Sequence, residues 1–255
     1  MVMSDSLKTL IIRKSIHTTL CLLLLVALIA PKLYAGVLAQ YGSSPHEVTT
    51  LIYSLVCFSC AFVNSFQVRA PLLTEELRRR IVEARRKIFE GLQVSLQRTP
   101  VPIKELSKLI RDVEMHIVKF ETTVTSIISS IERDYEKKTG YIGATFGSLS
   151  VLISYILFNE YVMYGILSLA IVDALSPILT RVLNGYTIPH SKTSLPAMFI
   201  TAFVFAVILV ALGLEPTVSV IVASIAVVTE AYSPEDNLTL PLVVSAACYV
   251  LAPLF

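Results

Sequence analysis

The sequence predicts an all-α, polytopic membrane protein with about seven transmembrane helices and a cytoplasmic helical hairpin. Hydrophobic residues make up 55% of the 255 residues, and the mean hydropathy is +0.72. The apolar residues gather in runs of about 17 to 25, the length that an α-helix needs to cross a bilayer. Most of the basic residues fall in one long segment between the second and third runs, where a water-soluble part is therefore expected.

The seven predicted spans divide the chain into three regions. Residues 1–69 form an N-terminal transmembrane pair, residues 70–139 the cytoplasmic hairpin, and residues 140–255 a five-helix transmembrane core. The sixth span is the shortest. The predicted spans are residues 18–39, 48–68, 141–158, 161–183, 196–214, 217–232 and 238–255.

The distribution of Lys and Arg predicts the orientation in the membrane. Fifteen of the 21 basic residues lie between Arg69 and Lys138. Five others lie before the first span or beside the loop after the fourth, which leaves Lys32 as the exception. Because cytoplasmic segments carry the excess of Lys and Arg, we expect the N-terminus and residues 70–139 in the cytoplasm and the C-terminus outside. The basic excess is an orientation signal and gives no reason to expect a nucleic-acid partner.

Within the hairpin, residues 74–97 are predicted to form one charged helix, which Pro100 and Pro102 end. In the second helix, apolar residues from Ile103 to Ile131 recur at alternating spacings of three and four, the pattern of a coiled-coil seam. This seam can close on the first helix, on a second copy of the protein to give a homodimer, or on the lipid surface. The charges form solvated faces, which favours a scaffold over catalytic machinery.

Asp173 is the most informative single residue, because it is a carboxylate within the apolar fourth span. An acidic group at membrane depth is costly and persists mainly where it faces a bundle interior and meets a partner. Helical spacing places Asp173 on one stripe with Thr180 and Arg181. Asp173 can therefore join two helices as a polar contact, or it can belong to a site for phosphate and metal.

The other polar residues of interest fall on the same predicted face of the membrane. Ser194 precedes a Leu-Pro pair as a helix N-cap would, so the fifth span is expected to aim free N–H groups at the loop beside Lys192 and form a phosphate cradle. Glu230 and Asp236 could supply oxygen ligands to Mg²⁺, and Asp236 could instead cap the seventh span. The candidate residues on this face are Arg13, Lys14, His17, Arg133, Glu136, Gly140, Asp173, Thr180, Arg181, Gly185, Lys192, Thr193, Ser194, Glu230, Asp236 and Asn237.

Five short motifs, met in order along the chain, resemble those of the membrane-embedded polyprenol kinases. This family contains dolichol kinase, phytol kinase and a CTP-dependent diacylglycerol kinase. The motifs cover the N-terminus and about residues 130–245, and the last of them is the most specific. They are Arg13-Lys14-x-x-His17; Arg133-x-x-Glu136 with Gly140 and Gly143-Ala144-Thr145; Val172-Asp173-Ala174 with Thr180-Arg181 and Gly185; Lys192-Thr193-Ser194; and Glu230 with Asp236-Asn237-Leu238-Thr239-Leu240-Pro241.

The resemblance implies a kinase that transfers the γ-phosphate of a nucleoside triphosphate, typically CTP, to a polyprenol- or dolichol-like isoprenoid alcohol at the cytoplasmic face, with Mg²⁺ as cofactor. Val172 stands where the family has a glycine before the aspartate. The implied roles are catalysis for Asp173, Arg181 and Lys192; metal binding for Asp173, Glu230 and Asp236; nucleotide or phosphate binding for Arg13, Lys14, Thr180, Gly185, Thr193, Ser194 and Asn237; and support for His17, Arg133, Glu136 and Gly140.

Two other functions stay open. A cytidylyltransferase that makes a CDP-lipid also needs CTP, Mg²⁺, an intramembrane acid and a lipid acceptor, but it consumes a lipid phosphate and releases pyrophosphate. A non-catalytic membrane scaffold or a small transporter would use the polar stripe as a helix contact or a translocation path, and the hairpin as a docking arm.

Overall fold

The computed structural model describes residues 5–69, 79–80, 82–91, 112–113, 115–119, 122–123, 142–183 and 185–254. Within these ranges the regular secondary structure is helical, and one isolated β-bridge joins Thr187 to Ser194. The predicted all-α class is therefore confirmed for this part of the chain. The chain divides into two compact units, Met1–Asn64 with Tyr141–Phe255, and Ser65–Gly140, which are treated separately below.

The first unit contains eight α-helices and two short 3₁₀ turns among its described residues. The second of these helices is only six residues long, and the third continues into the second unit. The 3₁₀ turns are Asn159–Tyr161 and Ala252–Leu254. The α-helices are α1 (Asp5–Leu33), α2 (Ala35–Gln40), α3 (Pro45–Arg69), α4 (Ile142–Phe158), α5 (Val162–Leu183), α6 (Leu195–Ala211), α7 (Pro216–Tyr232) and α8 (Asp236–Leu251).

Four helical segments are long and apolar enough to cross a membrane, so the chain has the character of a membrane protein. One of them, Ile142–Leu183, is 42 residues long, about twice what one crossing requires. It contains both α4 and α5, which pack against each other on either side of Asn159, a residue with φ of 51°. The other three are Leu7–Leu33, Pro45–Phe66 and Asp236–Leu254, and the shorter apolar helices are Leu195–Ala211 and Pro216–Tyr232.

The first helix begins earlier than the sequence predicted. The first span was expected over residues 18–39, whereas α1 runs over Asp5–Leu33 and a separate short helix follows it. Hydropathy marks where a helix becomes apolar, and polar residues can extend the same helix beyond that point when they pack on a neighbour. Lys14 and His17 consequently lie inside α1 and project from it as helical residues.

Helix α5 is the central element of the first unit, and it packs against α1, α6 and α8. Its residues Ile166, Leu169 and Val172 are fully buried in the apolar core. Because lipid tails are as apolar as these side chains, the packing of α5 within a membrane depends mainly on van der Waals contacts and hydrogen bonds between helices. Val172 points into that core, and the next residue along α5, Asp173, is also buried.

Contacts between side chains fix the directions of the helices. Helix α1 runs antiparallel to α5, because Lys14 lies beside Asp173 while Lys32, near the end of α1, lies beside Glu160. Helix α8 runs parallel to α4: the Ser150 hydroxyl donates to the Leu238 carbonyl at 2.6 Å, and the rings of Phe158 and Tyr249 are 5.6 Å apart.

These directions give the bundle two contrasting ends. We call one the polar end: it comprises Lys14, Asp173, the loop of residues 185–194, Glu230 and residues 235–237. The other, the aromatic end, comprises Lys32, Glu160 and the rings of Phe158, Tyr161, Tyr164 and Tyr249, whose centroids lie 5.6 to 6.4 Å apart along the chain of contacts.

The second unit is described only in part, and its described residues are helical. Arg86 donates to Glu90 at 2.7 Å across one helical turn, and this hydrogen bond raises the pKa of the Arg86 guanidinium. Two residues of the predicted apolar pattern are exposed here, Val113 by 45% and Ile117 by 37%, as is Ile88 of the first predicted hairpin helix by 61%. Most of the predicted seam, including Ile103 and Ile131, lies outside the described residues, so the hairpin stays a prediction.

Candidate functional site

The polar end is built around a buried ion pair between Asp173 and Lys14. The Lys14 ammonium lies 2.7 Å from one carboxylate oxygen of Asp173, and both side chains are buried. The His17 imidazole lies 3.4 Å from the other oxygen. One turn along α1, the Thr18 hydroxyl donates to the Ala170 carbonyl at 3.1 Å. Lys14, His17 and Thr18 share one face of α1, so a single helix face supplies every one of these contacts.

A second buried acid lies nearby on α7. The Thr193 hydroxyl donates to a carboxylate oxygen of Glu230 at 2.7 Å, and both residues are buried. The charges of Asp173, Asp236 and Lys14 all reach Glu230 electrostatically, which places Glu230 in the same cluster as the ion pair. The polar end therefore concentrates two buried carboxylates and one buried cation.

The loop of residues 185–194 is folded tightly and ties three helices together. Thr187 and Ser194 form an antiparallel bridge, and His190 adopts a left-handed conformation with φ of 66°. The Lys192 N–H donates to the Ala231 carbonyl at 3.0 Å, which anchors the loop to the last turn of α7. This anchoring holds the Lys192 ammonium 3.4 Å from a carboxylate oxygen of Asp236, at the start of α8.

The start of α6 agrees with the prediction in its cap, because Ser194 is the N-cap residue. Two N–H groups at this end have partners inside the protein. The Ser194 N–H donates to the Thr180 hydroxyl at 3.1 Å, and the Leu195 N–H donates to the Tyr186 carbonyl at 2.8 Å. The next residue is Pro196, which has no N–H. The phosphate cradle at this helix end stays a prediction.

Gly185 explains why the loop can close over the start of α6. A Cβ on Gly185 would lie 2.6 Å from Cγ of Pro196, a distance that a real side chain cannot adopt without movement of the proline ring. The sequence singled out Gly185 as a phosphate-binding residue, whereas the structure gives it a packing role against α6.

The start of α8 holds a compact group of polar contacts. The Asn237 side-chain amide donates to a carboxylate oxygen of Glu235 at 3.1 Å, and the Asn237 N–H donates to the carboxylate of Asp236 at 3.0 Å. Glu235, rather than Asp236, is the N-cap residue. Ser233 and Thr239 close the turn with a hydroxyl–hydroxyl contact of 2.6 Å.

The predicted Mg²⁺ ligands each have another partner. One oxygen of Asp173 is bonded to Lys14, Glu230 accepts from Thr193, and Asp236 faces Lys192. Among the residues that the structure describes, no three His, Cys, Asp or Glu side chains lie close enough to share a metal ion. The assignment of Asp173, Glu230 and Asp236 as Mg²⁺ ligands stays a prediction.

Most of the predicted site residues with described positions meet at the polar end, although they are far apart in sequence. Arg13 is half-buried on α1, and Arg181 is exposed on the last turn of α5. Three predicted residues, Arg133, Glu136 and Gly140, lie outside the described part of the chain. The residues brought together are Lys14, His17, Asp173, Thr180, Gly185, Lys192, Thr193, Ser194, Glu230, Asp236 and Asn237.

Sequence reasoning missed several hydroxyls that hold this end in place. Thr18 falls one turn after Lys14, and a helix extended through both residues would have placed them on one face. Ser150 lacks such a signal, because its partner is a backbone carbonyl 88 residues away. The Ser233–Thr239 contact is local, but it depends on the turn before α8.

Comparison with known proteins gives no match: no family model matches the chain, and neither a curated protein nor a solved structure is similar to it. The resemblance to the polyprenol kinases therefore depends on the five motifs alone, and the site must be interpreted from its own residues.

Proposed function

We propose that this protein is a lipid-alcohol kinase that transfers the γ-phosphate of a nucleoside triphosphate, CTP in the first instance, to a polyprenol- or dolichol-like isoprenoid alcohol at the cytoplasmic membrane face. One observation carries the proposal. Residues from four of the five motifs, separated by up to 159 positions in a single contact, meet in pairs at the polar end: Lys14 with Asp173, Thr193 with Glu230, and Lys192 with Asp236.

The proposal includes a topology of seven spans with the polar end at the cytoplasm. The aromatic end fits a membrane–water interface, because Tyr residues are enriched at both interfaces; the orientation itself is supported by the basic residues. Lys32, the one basic residue that the charge pattern assigned to the outside, lies at the aromatic end. The helix directions also bring the N-terminal half of α1 to the same end as Lys192 and Arg181, as a common cytoplasmic face requires.

In this proposal the polar end acts chiefly by positioning and charge neutralisation, which phosphoryl transfer requires above all. Arg181 and the half-exposed Lys192 at the rim would hold nucleotide phosphates, and the buried Lys14, oriented by Asp173, would meet the transferred group. Mg²⁺ bound to the nucleotide would neutralise part of the phosphate charge. The isoprenoid chain would lie between the apolar helices.

A membrane scaffold is the second candidate, and specific contacts favour it. Each carboxylate of the site is already paired, and the start of α6 is closed by its own loop. A buried pair such as Lys14–Asp173 also serves to join two helices. The cytidylyltransferase has no separate structural support and enters as an outcome of the assay.

A direct assay tests the proposal. Purified protein in lipid nanodiscs is incubated with Mg²⁺, γ-labelled CTP or ATP, and dolichol, polyprenol, geranylgeraniol, phytol or diacylglycerol. We expect label in the lipid fraction with at least one alcohol, and a loss of about tenfold or more in Asp173→Asn, since removing one charge-stabilising contact costs that much or more. Lys32→Met, at the opposite end, serves as the control and should keep the activity.

Two results would redirect the interpretation. Release of pyrophosphate with a lipid phosphate as acceptor would establish the cytidylyltransferase. No transfer to any acceptor, from protein whose folding is verified by its thermal transition, would reject the kinase in favour of a scaffold.

A further inference from the structure

Six buried hydroxyl groups lack a hydrogen-bond partner among the described residues: those of Thr49, Ser154, Ser176, Ser194, Thr201 and Ser245. Three of them lie on the neighbouring helices α5 and α6. They belong to Ser176 on α5, to Ser194 at the start of α6, and to Thr201 on α6, and all three residues are fully buried. By contrast, the buried Ser168 hydroxyl on α5 donates to the Gly165 carbonyl of its own helix at 2.7 Å. We call the three the hydroxyl column.

Helical spacing predicts that the hydroxyls of the column lie along one line between α5 and α6. Ser194 lies level with Thr180, because its N–H donates to the Thr180 hydroxyl at 3.1 Å. Helices α5 and α6 pack together and are joined by the closed loop. Ser176 lies one turn, or about 6 Å, below Thr180, and Thr201 lies two turns, or about 10.5 Å, below Ser194.

The column ends at the ion pair. Asp173 is seven residues before Thr180 and so lies at about the depth of Thr201, roughly 10.5 Å from the start of the column. Asp173 and Ser176 are also three residues apart, so they are neighbours on the surface of α5. Successive levels of the column are separated by about 4.5 to 6 Å, which matches two hydrogen bonds of about 2.8 Å through one intervening oxygen.

The chemistry of the column identifies its occupant. A buried hydroxyl without a partner loses the free energy of its hydration, and native proteins satisfy such groups with ordered water where the protein supplies no partner. The groups are neutral and can each donate or accept a hydrogen bond, which matches the bonding capacity of a water molecule. Because all three residues are fully buried, the occupant must also be small. Water meets each requirement and needs two to four polar partners.

We propose that the hydroxyl column between α5 and α6 binds a file of ordered water molecules that hydrates the Asp173–Lys14 pair from inside the bundle. Such water supplies hydrogen bonds to a buried charge pair, whose burial is otherwise costly. The proposal does not depend on the kinase activity, because it concerns solvent inside the protein and not nucleotide.

Hydroxyl-radical footprinting of the full chain in nanodiscs tests the proposal, because radicals form from bound water and oxidise nearby methionine. Met198 is the reporter: it is buried and lies on α6 between Ser194 and Thr201. We expect its oxidation rate in the wild type to fall by about threefold or more in the triple variant Ser176→Ala, Ser194→Ala, Thr201→Val, which removes the partners that hold the water.

Matched variants separate hydration from folding. Ser168→Ala removes an equally buried hydroxyl of α5 that is already bonded within its helix, and it should leave the rate unchanged. Thr201→Ser keeps the hydroxyl and should also preserve the rate, whereas Thr201→Val should lower it even if the triple variant does not fold. An unreactive Met198 in the wild type, or equal rates in Thr201→Ser and Thr201→Val, would show a dry seam and overturn the proposal.

Discussion

The two ends of the bundle each hold an ion pair that starts from α1, and the two pairs differ in burial. Lys14 and Asp173 are 2.7 Å apart, with side chains only 7% and 5% exposed. Lys32 and Glu160 are 2.6 Å apart, with side chains 38% and 74% exposed. The two distances are nearly equal, but the two interaction energies differ. Water screens the exposed Lys32–Glu160 pair, whereas each charge of the buried Lys14–Asp173 pair depends on the other for its stabilisation. Buried ion pairing therefore holds the polar end together, whereas contacts between aromatic rings, which tolerate solvent, hold the aromatic end together.

The most severe test of this contrast removes one lysine from each end. Lys14→Met leaves the Asp173 carboxylate buried without its cation, which should cost about 3–5 kcal/mol in the free energy of unfolding. Lys32→Met breaks an exposed pair and should cost about 0–1 kcal/mol. Denaturation in mixed micelles measures both values. Similar losses at the two ends would mean that burial does not distinguish these pairs.

A smaller effect should separate two threonine–glutamate contacts. Thr193→Val removes the buried donor to Glu230 and should cost about 1.5–3 kcal/mol, the range for hydrogen bonds to charged groups. Thr217 makes the corresponding contact with Glu215 at 3.0 Å in an exposed position, so Thr217→Val should change stability by less than about 0.5 kcal/mol. Thermal unfolding followed by circular dichroism reports both, and a larger loss in Thr217→Val would reverse the expected order.

Between the two ends, α5 and α8 approach closely at Gly165. A Cβ there would lie 2.5 Å from the Pro241 carbonyl oxygen, a backbone atom, and in contact with Ser245. Gly165→Ala should therefore force the helices apart and cost about 1–3 kcal/mol by overpacking. Gly36→Ala is the control, since nothing lies within 4 Å of its Cβ position. The midpoint of denaturation should fall for Gly165→Ala and stay unchanged for Gly36→Ala. An unchanged midpoint for Gly165→Ala would show that α5 and α8 have room for a methyl group at this contact.

The smallest effect is expected among the aromatic rings. Tyr249 lies 5.6 Å from both Phe158 and Tyr161, and Tyr249→Leu should cost about 0.5–1.5 kcal/mol through lost ring contacts. Tyr232, a half-exposed tyrosine at the polar end, gives the comparison, and Tyr232→Leu should cost less. The difference between their unfolding temperatures in nanodiscs measures the effect, and no difference would deny the rings a stabilising role.

The sequence predicted the bounds of a helix well where residues that begin or end helices flank an apolar run. The predicted spans 161–183 and 217–232 agree within one residue with α5 (Val162–Leu183) and α7 (Pro216–Tyr232). The start of α1 was placed wrongly, because its polar first turns depend on packing against α5. Prediction of helix ends from composition has no access to such tertiary contacts.

The candidate site was predictable in its members but not in its pairings. Sequence alone indicated that Asp173 needs a partner and that several cations share its face. It could not select Lys14, because only folding brings the two residues together. The same limit applies at α6: the N-cap motif is local and was predicted, whereas the oxygen atoms that accept from the N–H groups of Ser194 and Leu195 come from Thr180 and Tyr186.

The pairing of Lys14 with Asp173 also has a consequence for synthesis. Lys14 emerges from the ribosome 159 residues before its partner, which at about 5–20 residues per second is a delay of roughly 8 to 32 s. During that interval the Lys14 ammonium lacks the Asp173 carboxylate. The final packing of α1 around this pair can therefore form only after α5 has been synthesised.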